Sequence, residues 1–163
     1  MPVLVVSDIH GSDRGRSLVE NAIQRYCPDL VLSAGDQCPD MVHASFYANL
    51  VSVRGNCDRF YDYDSLPFPP LSREERIYGR RIVMTHGDRL WMDDFYLSPG
   101  DVFISGHTHV PELYKGQNGV FVLNPGSPSR PRSSAGPTAA LLSPEGMKVF
   151  SLLTFKSIRS LAF

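Results

Sequence analysis

Cysteine is scarce in this 163-residue chain. Cys27, Cys38 and Cys57 are odd in number and none belongs to a CxxC pair. That argues against a disulfide framework and fits a reducing compartment. Lysine is scarcer than arginine, three residues against thirteen. Arginine suits two-pronged contacts to phosphate. Charge of one sign is missing too: the net charge is −1. Nothing therefore demands a polyanionic partner, and no basic groove marks a nuclease. Long apolar runs are absent. The opening stretch Met1 to Val6 has no basic region before it and is too short for a signal peptide or a membrane span. A cytoplasmic protein with no membrane partner is expected. No repeat or linker divides the chain, so one domain over residues 1–163 is expected, large enough to bury a core.

What is present is a series of short β-branched and apolar runs. Val3 to Val6 reads as a buried strand. Leu18, Val19, Ala22, Ile23 and Tyr26 recur at helical spacing within Arg14 to Tyr26, and Cys27-Pro28 ends that helix. Leu30 to Leu32 is a second strand, Met41 to Leu50 a second helix, and Val51 to Val53 a third strand. This alternation is the mark of parallel βαβ units. Tyr61 to Arg76, with Pro67, Pro69 and Pro70, reads as an exposed loop, a lid or contact surface. Strands return at Arg81 to Met84 and Asp101 to Ile104. Glu112 to Lys115 and Val120 to Leu123 flank a Gly116 to Gly119 turn, and Ala139 to Leu142 and Met147 to Leu153 flank Ser143 to Gly146. Between these hairpins, Ser127 to Gly136 is a loop. The two halves of the chain are expected to supply two sheets packed face to face, with helices outside.

The chemistry gathers at the ends of these strands. Asp8-Ile9-His10, Gly35-Asp36, Gly55-Asn56-Cys57-Asp58, Thr85-His86-Gly87 and Gly106-His107-Thr108-His109 each follow an apolar run. Four of the five histidines fall in these clusters; His43 is outside and reads as a surface helix residue. In open α/β sheets, sites form at the carboxyl ends of strands. Side by side, such strands would give one rim rich in Asp, Asn and His, as a two-metal site requires. Singly, the clusters leave other readings open. Asp8 and Asp36 suit turns or helix caps, and Gly-Asn suits a turn. Two histidines one residue apart seldom serve a core, and imidazole suits Zn, Mn, Fe and Ni alike.

Taken in order, the five clusters resemble the calcineurin-like metallophosphoesterase superfamily. The small size, the Asn-Cys-Asp variant and Asn124-Pro125-Gly126-Ser127 resemble its YfcE-type phosphodiesterase branch, which also contains the retromer subunit Vps29. The resemblance implies an α/β fold: a β-sandwich of two packed mixed sheets flanked by helices, in four α/β/β/α layers. It implies Asp8, His10 and His109 on one divalent metal, Asn56, His86 and His107 on a second, and Asp36 bridging both. Mn is the expected ion, with Fe, Ni, Zn or Co as alternatives. Two such ions about 3.5–4 Å apart activate a bridging water as hydroxide and neutralise charge on the phosphoryl group. The implied reaction is phosphodiester hydrolysis of a small, nucleotide-like phosphoester. Asn56 and His107 would help hold phosphate oxygens.

Two positions depart from the wider superfamily. Many members carry histidine where Cys57 stands, and that histidine is thought to protonate the leaving group. Asp58 would normally orient it and is left with a structural role. Asp88 stands where many relatives have a further histidine. Of Arg14, Arg54, Arg59, Arg130 and Arg132, the last two are the best candidates for binding substrate phosphate. Trp91, Tyr61, Tyr63 and Phe68 suggest packing or a homo-oligomer contact, with a nucleobase platform as the alternative. Competing functions are a Vps29-like scaffold without catalysis and a phosphomonoesterase or dinucleoside polyphosphate hydrolase.

Overall fold

Alternation within the strands decides where each of them packs. A computed structural model of the chain describes residues 2–38, 49–63 and 66–163. Val3–Val6 (β1), Leu30–Ser33 (β2) and Leu50–Ser52 (β3) are parallel neighbours in one sheet. Thr138–Ser143 (β9), Gly146–Ser151 (β10) and Ser157–Ala162 (β11) extend that sheet from the other side of β1 as antiparallel strands. Its order is β11-β10-β9-β1-β2-β3. The second sheet is built from Ser72–Ile77 (β4), Arg80–Thr85 (β5), Val102–Ile104 (β6), Glu112–Lys115 (β7) and Phe121–Asn124 (β8), in the order β4-β5-β6-β8-β7. There β5, β6 and β8 are parallel, and the edge strands β4 and β7 run antiparallel.

Both sheets are therefore mixed, and they pack over one interior. Val3, Val5 and Leu32 of the first sheet share a buried cluster with Ile82, Met84, Val102, Ile104, Phe121 and Leu123 of the second. Their period-two partners face outward. Leu4, Val6 and Val31 pack under the helix Asp13–Tyr26 (α1), through Val19 and Ala22. Val83 and Phe103 lie on the outer face of the second sheet, against Met92, Phe95 and Leu97 around a single 3₁₀ turn at Met92–Asp94. Burying one such aliphatic side chain contributes about 1.5–3 kcal/mol. Ser12 caps α1 by accepting a hydrogen bond from the Gly15 N–H at 3.1 Å. Cys27 ends it in the left-handed region, at φ 44°. None of the described helices is long and apolar enough to cross a membrane.

Three expectations change. The sheets do not divide by halves of the chain: the last strands join the first ones, and the middle of the chain makes the second sheet. The β1 strand has a free side, and β9 takes it with the register Val3 to Leu142. The expected Tyr61 to Arg76 loop holds a 3₁₀ turn at Phe60–Asp62 and ends in strand β4. Ser-Arg-Glu-Glu-Arg-Ile hides its strand character because an edge strand needs little apolar surface. The terminal strand β11 is also mostly exposed and carries no apolar run. The expected helix from Met41 and its His43 lie outside the described residues, and Leu50 already belongs to β3.

Candidate metal centre

Six parallel strands, three from each sheet, end at one rim. Asp8 follows β1, Asp36 follows β2, and Gly55 to Asp58 follow β3. His86 follows β5, and His107 and His109 follow β6. Each loop is pinned to the next. The Asp8 N–H donates to the Gly35 carbonyl at 2.9 Å, the His10 N–H to Asp36 at 2.9 Å, and the Gly106 N–H to His86 at 3.0 Å. Ile9 is wholly buried between the two polar residues it separates.

Donor atoms converge inside this rim. Asp8 Oδ2 accepts from Ser7 Oγ at 2.7 Å and from the His107 N–H at 3.0 Å. Its Oδ1 is buried and has no hydrogen-bond partner among the described residues. That oxygen lies 3.2 Å from His109 Nε2, 3.7 Å from His10 Nε2 and 3.8 Å from His86 Nε2. Asp36 Oδ1 accepts from the Cys57 N–H at 2.8 Å. Asp36 Oδ2 faces His86 Nε2 at 3.3 Å and His10 Nε2 at 3.7 Å. His10 and His109 bring their Nε2 atoms to 3.2 Å.

The outer contacts fix the tautomers. His86 Nδ1 sits 2.7 Å from the Ala34 carbonyl, and His109 Nδ1 sits 2.8 Å from that of Arg130. A carbonyl only accepts, so each Nδ1 carries a hydrogen and each Nε2 turns inward, toward the carboxylates. His86 Nε2 is buried and makes no hydrogen bond among the described residues. Burial opposes charge on this ring. Asp36 and Asp8 outweigh it and push its pKa up to about 9. Burial likewise works against a charged Asp8. The His10 and His109 rings beside it, and the charge of His86, nonetheless hold it well below the usual carboxylate range.

The local backbone is strained where the donors are. Nine described non-glycine residues have positive φ, and Asp8, His10, Asp36, Cys38, His107 and His109 are six of them. Each left-handed residue costs about 1–2 kcal/mol. Two glycines leave the space the donors fill. A Cβ on Gly55 would collide with the Asp36 carboxylate, and one on Gly106 with Ser7 Oγ. Asp58 braces the same loops. It accepts from the N–H groups of Asp36 and Gly55 at 2.8 Å each, from Cys38 at 2.9 Å and from Tyr63 Oη at 3.0 Å.

Of the expected site residues, Asp8, His10, Asp36, His86 and His109 form the cluster. Donor atoms of Asp8, His10 and His109 lie within 4.8 Å of one another, as do those of Asp8, Asp36 and His86. His107 is half-buried beside it, with its ring edge-on to His86 at 5.2 Å. Asn56 is exposed at the lip, and its Nδ2 faces Cys57 Sγ at 3.5 Å. Burial and then Asp36 push the Cys57 thiol pKa up, partly offset by Arg130. Arg130 and Arg132 are exposed, and the Arg132 N–H donates to the His109 carbonyl at 3.2 Å. Arg54 instead donates to Pro69 and covers Phe68. Arg14 and Arg59 are exposed, and Arg59 pairs with the Tyr61 hydroxyl at 2.6 Å. Asp88 pairs with Arg89 at 3.5 Å. Tyr63 is buried and belongs to the support, which removes it from any base-stacking platform. Tyr61 and Trp91 are exposed.

Sequence reasoning missed several supports. Ser7 orients Asp8, while Ser127 Oγ donates to the Asp8 carbonyl at 2.7 Å. Asn124 Nδ2 donates to the Gly106 carbonyl at 2.9 Å. The segment Asn124 to Ser127 is marked only by a resemblance, and nothing in the sequence near Tyr63 signals its bond to Asp58.

Residues 1–147 match the calcineurin-like phosphoesterase superfamily domain. A probable metallophosphoesterase of Methanothermobacter thermautotrophicus is 34% identical over 159 residues, spanning 91% of this chain and 89% of the relative. Phosphodiesterase YfcE of Escherichia coli is 30% identical over 106 residues, which span 63% of this chain and 57% of YfcE. The solved structure of YfcE, a phosphoesterase, has a TM-score of 0.87 at 25% identity, covering 99% of both chains. Zinc-bound Vps29 of Entamoeba histolytica has a TM-score of 0.69 at 20% identity, covering 99% of both chains, a likeness of fold.

Proposed function

Because the chain belongs to the calcineurin-like phosphoesterase superfamily, we propose that it is a metal-dependent phosphodiesterase whose site is the rim described above. The observation that carries this reading is that Asp8 Oδ1 and His86 Nε2, buried and without a hydrogen-bond partner among the described residues, sit among carboxylates and imidazoles aimed at one space. Two carboxylates and three inward-facing imidazoles fit divalent cations, whose charge would balance Asp8 and Asp36.

Two ions are proposed, Mn foremost. Asp8, His10 and His109 would hold one. His86, His107 and Asn56 would hold the other, with Asp36 reaching both. When bound, the ions lower the pKa of coordinated water and polarise phosphoryl oxygens. The chain's own residues set the rest. Ser7 and the His107 N–H orient Asp8. The Ala34 and Arg130 carbonyls orient His86 and His109. Asp58 holds the Asp36 and Gly55 backbones together. Asn56 at the lip and His107 beside it bind phosphate oxygens, and Arg130 and Arg132 attract the anion. Cys57 is a weak acid in this setting, so good leaving groups are favoured. A single domain acting in the cytoplasm on a small phosphoester completes the reading.

The test compares hydrolysis of bis(p-nitrophenyl) phosphate with that of p-nitrophenyl phosphate, with added Mn²⁺. The diester should turn over faster. Faster monoester turnover would make the protein a phosphomonoesterase, and no metal-dependent turnover of either would favour a scaffold of the Vps29 kind.

A further inference from the structure

A third group of donors meets on the edge of the cluster. Cys57 Sγ, a ring nitrogen of His10 and a carboxylate oxygen of Asp36 lie within 4.8 Å of one another. Metal bonds of about 2.0–2.3 Å to sulfur, nitrogen and oxygen place ligand atoms within roughly 4 Å, a small closure from that spacing. We propose that Cys57 is itself a metal ligand, its sulfur completing the coordination of an ion held by His10 and Asp36. The inference rests on the metal-dependent reading above.

The Cys57 loop is fixed relative to Asp36, because the Cys57 N–H donates to Asp36 Oδ1 at 2.8 Å. Asn56 is exposed, and its amide turns to the Cys57 sulfur rather than into the cluster. The sulfur, not the amide, is therefore the donor of this loop that reaches His10 and Asp36. Cys38 is a different case: its thiol faces the Cys57 carbonyl at 3.9 Å and belongs to no donor group among the described residues. On coordination the Cys57 S–H bond breaks, its proton passes to solvent, and the sulfur lone pair forms the metal bond. No oxidant or reductant is consumed. A soft sulfur ligand shifts preference from Mn toward Zn, Co or Fe.

Cobalt titration of the metal-free full chain tests this. Wild type should show a sulfur-to-cobalt charge-transfer band in the near ultraviolet. The double variant Cys27→Ser/Cys38→Ser, whose only thiol is Cys57, should keep the band. Cys57→Ser should lose it while retaining the visible cobalt bands of a bound ion. Its Zn²⁺ dissociation constant should rise by on the order of tenfold or more, the scale of a lost metal-site contact. Bound cobalt without a sulfur band in the double variant would overturn the assignment, even if Cys57→Ser did not fold. A band surviving in Cys57→Ser would overturn it as well. Failure of wild type to bind cobalt at all would instead defeat the metal reading itself, and the inference with it.

Discussion

The sandwich interior and the rim above it are continuations of the same strands, yet they follow opposite rules. Inside, Ile82, Met84, Val102 and Ile104 are buried apolar residues in regular extended backbone. Two or three residues further on, His86 is buried and polar, with a nitrogen that makes no hydrogen bond among the described residues, and His107 takes a left-handed backbone. The interior lowers free energy where it stands. The rim carries strain and unpaired donors, which the rigid sheets beneath it can hold. Buried polar groups without partners cost about 1–3 kcal/mol each, so the rim detracts from stability until something binds there.

Substitutions should separate the two regions. Asp36→Asn keeps an acceptor for the Cys57 N–H but removes a charge shared by His86 and His10. Turnover of bis(p-nitrophenyl) phosphate should fall by on the order of 10³-fold, several kcal/mol of transition-state stabilisation. Thermal unfolding of the metal-free protein should shift less than for a core substitution. Ile104→Ala, at a fully buried position, should do the reverse. It should cost about 2–5 kcal/mol in chemical denaturation while leaving turnover per folded molecule close to wild type. Tyr63→Phe is the mildest and sits between the regions. It removes the hydroxyl that donates to Asp58 at 3.0 Å. Stability should drop by about 1 kcal/mol, with a small rise in the metal concentration needed for half-maximal rate. Were Ile104→Ala to abolish turnover while Asp36→Asn spared it, the contrast between interior and rim would fail.

The same contrast explains what could be read from the sequence. Val3 to Val6, Arg14 to Tyr26 and the two hairpin turns declare themselves through periodicity and turn residues, because burial and local geometry agree there. Strands β4 and β11 do not, since sheet edges tolerate charge and need little apolar surface. The pairing of β9 with β1 joins residues more than 130 positions apart, a distance no local pattern spans. At the rim, residue types and order were legible: Asp8, His10, Asp36, His86 and His109 do converge. Their positive φ angles were not. Asp58, expected to keep a structural role beside Cys57, fills it by tying the Asp36, Cys38 and Gly55 backbones together, partners no local pattern names.

Metal titration of the purified, metal-free protein, following bound ion per chain alongside diester hydrolysis, tests the account most directly. Two divalent ions per chain should bind, with turnover rising in step and thermal stability increasing. At a free-ion concentration 100 times Kd, the gain should be about 2.7 kcal/mol for each site. A protein that binds no divalent ion, or hydrolyses the diester equally well with and without it, would contradict the assignment of the rim as a metal centre.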